Sequence, residues 1–95
     1  MEQQSAVQRR LIEVHQRLVQ ARQELAQIEE QLDVFVDTAE DARIRSLVSE
    51  TPLANKEWSE ARRHAEAWTR SRDDQLARVA DLERTQGELA GKLAF

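Results

Sequence analysis

The chain has 95 residues, a formal net charge of -4, two glycines, one proline, two Phe, two Trp and no Tyr or Cys. This excludes disulfides, thiolate metal sites and a β-rich fold, which needs turn residues and β-branched or aromatic strands. An excess of acid argues against a dedicated nucleic-acid binder, and Ala, Leu, Glu, Gln and Arg dominate, as in long helices.

The N-terminal MEQQSAVQRR carries no apolar core of a signal peptide, and no apolar run approaches the ~18 residues of a membrane span. A soluble, cytoplasmic protein is expected. From there Val7, Leu11, Val14, Leu18, Ala21, Leu25, Ile28, Leu32, Phe35, Ala39 and Ala42 alternate at spacings of four and three. That is an a/d stripe over five heptads, and it predicts one long helix packed along a seam. Beyond Ala42 the apolar stripe is broken by Ser46 and Ser49. Asp37 or Thr38, with Glu40 or Asp41 behind it, has the pattern of a capping box. Two expectations therefore stand side by side: a first helix that bends near 37–40, or a separate short helix over 38–50.

Thr51-Pro52 is the turn. Threonine is a good N-cap, and proline suits the first helical position because its missing N–H has no partner there anyway. The first helix is expected over about 3–49 and the second over 52–93. In the second half Ala54, Trp58, Ala61, Ala65, Trp68, Arg72, Gln75, Val79, Leu82, Gln86, Leu89 and Leu93 repeat the rhythm, with polar residues at Arg72, Gln75 and Gln86. Folding back at the turn makes partner numbers add to about 100. Leu11 then meets Leu89, Leu18 meets Leu82, Ala21 meets Val79, Leu32 meets Trp68 and Ala39 meets Ala61. Large faces small in several layers, as an interdigitated seam requires. The expected fold is all-α: a single-domain antiparallel coiled-coil hairpin spanning 1–95, which dimerises to a four-helix bundle because one seam buries little.

The segment Leu47-Val48-Ser49-Glu50-Thr51-Pro52-Leu53-Ala54, followed by Glu60 to Trp68, resembles small uncharacterised helical-hairpin proteins of actinobacterial type. The resemblance implies this fold and no activity. The Trp-x-Gly turn of another family of small secreted helical hairpins is absent, since Trp58 is followed by Ser59 and Glu60.

Candidate functional residues are those the seam leaves over. Ile12, Val19 and Ala26 recur every seven residues outside it, and Leu76 is off the line on the second helix. These residues suit a homodimer interface. Ile44, Leu47, Val48 and Leu53 cluster at the tip, where they either close the hairpin end or dock another protein. Arg72, Gln75 and Gln86 are expected to set register, with Glu29 or Glu30 as partners for Arg72. Residues 28–60 carry nine acids against three bases, and the Arg62, Arg63, Arg70 and Arg72 stretch is expected to pair with them across the seam. His15 and His64 stand at opposite heights, and no HExxH, Glu-x-x-His or glycine-rich phosphate loop exists. Gly87 and Gly91 are expected only to fray the C-terminal end. No enzyme, cofactor, metal, membrane or nucleic acid is expected. The leading expectation is a self-associating coiled-coil adaptor or scaffold, with itself and another protein as partners. The alternative is a transcription regulator that binds RNA polymerase or a sigma factor through the tip.

Overall fold

The computed structural model describes residues 5–94 and consists of α1 (Ala6–Ser49) and α2 (Pro52–Ala94). The expected start of α1 at residue 3 lies outside the described residues. No strand occurs among them.

A reciprocal cap fixes the start of α1. The Gln8 N–H donates to Ser5 Oγ at 3.1 Å, and the Ser5 N–H donates to Gln8 Oε1 at 2.8 Å. This is the Ser-x-x-Gln capping box, which satisfies orphan donors from both sides. α1 then runs unbroken through residues 37–40, so the separate helix over 38–50 does not form. Thr38 shows why. Its hydroxyl donates to the Val34 carbonyl at 2.9 Å, bonding back along the helix instead of accepting the N–H that a cap would receive.

At the turn, Glu50 adopts φ 51°, and its N–H donates to the Ser46 carbonyl at 3.0 Å. That is a left-handed C-terminal cap, built here on a residue with a side chain. Thr51 is the N-cap of α2 as its sequence position demands. Its Oγ1 accepts the Ala54 N–H at 3.1 Å, and its carbonyl accepts the Asn55 N–H at 3.0 Å.

The two helices form two compact units. The first comprises Met1–Leu25 with Asp74–Phe95, of which 5–25 and 74–94 are described, and the second is Ala26–Asp73. In the first, Leu18, Ala21 and Val79 make the buried core, with Leu25 and Leu82 packed on it. Val14 and Leu18 are the largest fully buried side chains. The pairing follows the expected register: Gln86 Nε2 meets His15 Nδ1 at 3.1 Å, one residue from it. In the second unit Phe35 stacks on Trp68 at 5.6 Å and meets the edge of His64 at 5.8 Å. Leu32, Ala42, Ala54 and Ala65 are buried in the same unit.

The seam geometry does not stop at Ala42. Ser46, four residues on, is buried, and its hydroxyl donates to Asn55 Oδ1. The position belongs to the seam although its residue is polar, because the helix carries it there regardless of side chain.

Candidate protein interface

The second apolar line exists as spaced. Ile12 is 46% exposed, Val19 40% and Leu76 45%, so each keeps close to half of its side chain outside the seam. All three belong to the first unit. Ala26, also exposed, continues the line along α1 but lies in the second unit.

What sequence spacing does not show is the cleft beside Ile12. It holds about 760 Å³ and is lined by Leu11, Ile12, His15, Glu83, Gln86 and Gly87, among others that include Ala90. Ile12 follows the seam position Leu11, and Ala90 follows Leu89. Residues that follow the seam on the two helices thus share one face of the unit. Arg22 and Glu83 close an ion pair on the same face at 3.2 Å. Another surface of the unit is polar: Glu13, Gln16, Arg17, Gln20 and Arg78 line a shallow recess there.

Gly87 and Gly91 do not fray the helix. α2 continues through both to Ala94. Helix packing elsewhere on α2 and the remaining backbone bonds hold the end, and two glycines lower its stability without stopping it.

Of the polar seam residues, Gln75 reaches across the seam. Its amide Nε2 crosses to the Ala21 carbonyl at 3.0 Å and to Glu24 Oε2 at 3.1 Å. Gln86 crosses to His15. Arg72 does not cross. It bonds the carboxylate of its neighbour Asp73, at 3.0 and 3.2 Å, in place of the expected Glu29 or Glu30. Its long stem lets the guanidinium leave the seam for water, where an adjacent carboxylate is available without desolvation.

The expected pairing of the acidic 28–60 stretch with the arginines of 61–72 does not appear among the ion pairs of this unit. Glu40–Arg43, Lys56–Glu60, Arg62–Glu66 and Arg72–Asp73 each run along one helix. Neighbours three and four apart on a helix are already within reach of one another, so the local partner is taken first. Arg62 is held further by the Trp58 ring, 5.4 Å from its centroid. Two hydrogen bonds from the Arg43 guanidinium hold the Glu40 carboxyl below its ordinary value.

The tip residues do not close the hairpin end. Leu47, Val48 and Leu53 are each more than three-fifths exposed, and Ile44 is exposed as well. Ser46 and Ala54 are the residues buried next to the turn. Val34 and Val36 are also exposed. Their spacing places them off the seam, but two single valines make no periodic signal.

No protein-family model, curated protein or solved structure matches the chain significantly. Among the described residues no helix is long and apolar enough to cross a membrane.

Proposed function

We propose that the chain is a non-enzymatic helical-hairpin interaction module that associates with itself and serves as an adaptor or scaffold. The observation that carries this reading is the apolar line Ile12, Val19 and Leu76, left half-exposed beside a cleft in a unit whose own core is thin. Burying a large aliphatic side chain fully is worth roughly 1.5–3 kcal/mol. The exposed halves of these three residues on two copies then supply about 4–8 kcal/mol. That is modest beside the cost of bringing two molecules together. It sets the range of the test: sedimentation equilibrium of the full chain from about 100 µM up to about 1 mM, since about 4 kcal/mol corresponds to a millimolar dissociation constant. A concentration-dependent rise toward twice the chain mass supports the reading, and a strict monomer removes it.

The tip supports a second reading. Among the described residues Leu47, Val48 and Leu53 are the most exposed large apolar side chains, and they lie within the 28–60 stretch that carries nine acids against three bases. A hairpin presenting such a tip suits docking on another protein, of which a transcription regulator contacting polymerase or a sigma factor is one case. Recovery of polymerase subunits on the immobilised chain, lost on Leu47→Asp, favours this reading over the first.

A further inference from the structure

The outer side of α1 carries a second line that keeps the rhythm of a seam. Glu30, Asp33, Asp37, Glu40, Ile44 and Leu47 follow one another at spacings of three and four, and all six are exposed. A line so spaced suits the packing of a further helix along it. Its chemistry is unlike that of the seam. Four acids come first and two aliphatics last, with Ile44 47% and Leu47 62% exposed. The residues beside the line agree with it: Asp41 adds an acid, and Val34 and Val48 add exposed aliphatics. Leu53 stands on α2, off the line.

The acids are not balanced within the chain. Between Arg22 and Arg43 α1 holds no base. Glu40 bonds Arg43, and Arg45 lines a recess with Glu57 and Glu60 of α2. Among the described residues Glu30, Asp33, Asp37 and Asp41 form no ion pair. Like charges three and four apart oppose a helix, and elsewhere the chain sets opposite signs at that spacing, as in Lys56–Glu60, Arg62–Glu66 and Arg84 with Asp81 and Glu88. The helix dipole does not account for the acids, because its field is confined to the first and last turns and they lie in the middle of α1. Among the described residues no three acids or histidines converge to hold a metal ion.

An exposed apolar patch continued by unbalanced acids selects its partner by charge. A nucleic acid or an anionic lipid surface is repelled. A second copy has no matching run, since along the outer line of α2 Arg63 and Arg70 alternate with Glu66 and Asp73. We propose that this face of α1 docks a basic amphipathic helix of another protein, with lysines or arginines over Glu30 to Glu40 and aliphatic side chains over Ile44 and Leu47. The line is about 26 Å long, so a partner segment of about 18 residues covers it. This rests on the reading of the tip as a docking surface and adds to it the extent of that surface along α1 and the chemistry of the partner.

The probe is a labelled helical peptide of about 18 residues, with lysines on one half of its face and leucines on the other, titrated with the full chain and read by fluorescence anisotropy. It is expected to bind at least tenfold more tightly than two control peptides, one with glutamate for lysine and one with lysines and leucines intermixed, and to weaken as salt rises. Asp33→Lys combined with Asp37→Lys, and separately Leu47→Asp, are each expected to weaken binding at least tenfold, with helix content by circular dichroism unchanged. A lysine–leucine peptide that does not bind, or an intermixed one that binds equally well, overturns the proposal. Weakening by Leu47→Asp but not by the double variant overturns the charged line while leaving tip docking standing. Weakening by neither removes both. Self-association of the chain that the double variant abolishes assigns the line to a second copy and likewise overturns the proposal.

Discussion

Glu50 is the residue whose replacement is expected to improve the fold. It sits at φ 51°, where an L-residue's Cβ crowds its own backbone. That conformation costs roughly 1–2 kcal/mol for a residue with a side chain. Glycine removes the crowding but has about 0.5–1 kcal/mol more unfolded-state entropy to lose. Glu50→Gly should therefore stabilise the hairpin by about 0.5–1 kcal/mol. In a domain of this size that is a rise of roughly 2–8 °C in the melting temperature. The backbone bond from the Glu50 N–H to the Ser46 carbonyl is untouched by the change. Charge is a competing explanation, because Glu50 lies at the negative end of α1 and just before the positive end of α2. Glu50→Gln removes the charge and keeps the side chain, so it should move the melting temperature little. Glu50→Asn tolerates the left-handed region and should recover part of the glycine gain. Melts are read by circular dichroism at low micromolar concentration, below the range of association. A glycine variant that melts lower than wild type, or a glutamine variant that gains as much as glycine, would refute the backbone argument.

Leu18 is wholly buried in the core with Ala21 and Val79, so Leu18→Ala should cost about 2–4 kcal/mol by urea denaturation. A loss under about 1 kcal/mol would mean that the seam closes over the cavity. The Glu40 carboxyl, bonded by Arg43, should titrate in carbon-detected NMR with a midpoint below 4.5, and Arg43→Gln should bring it back up. Because its folded value is depressed, the contribution of this pair is present above the unfolded value and disappears as pH falls through the folded one. The pair lies on the exposed surface, so the change in global stability should be small and screened by salt.

The seam was readable because helix geometry converts spacing directly into direction. Eleven apolar residues at four-and-three intervals leave no other face for the core, and Thr51-Pro52 has one role in a helix-rich chain. Ser46 was not readable as a seam residue, since its hydroxyl breaks the apolar pattern while the helix still carries it inward to Asn55. Thr38 looked like a cap because the same hydroxyl chemistry serves caps and back-bonding, and only the continuity of the helix decides between them. The ion pairs were misplaced for a related reason: composition counts opposite charges across the seam, but side chains respond to reach, and the nearest acid is on the same helix. The interface residues were readable as leftovers. The cleft beside them was not, because a cleft is a property of two helices together.

An apolar stripe by itself specifies register poorly, because it looks the same after a shift of seven residues. The turn limits that freedom, and the polar seam residues remove the rest. Gln75 bonds the Ala21 carbonyl and Glu24 in one alignment only. Moved one heptad toward the open end, its amide would face Leu18 and its two partners would be lost, at a cost of about 1 kcal/mol for each partly buried bond left unmade. Gln86 and His15 apply the same constraint about three turns further along α2. These residues weaken the seam relative to leucine, and in return their cross-helix bonds favour one register over its neighbours. A slip of a single heptad would set Ile12 beside Ala80 or Ala94 and leave Gly87 facing a different residue. The polar seam positions therefore do more than orient the hairpin: they fix which residues of the two helices share its outer face.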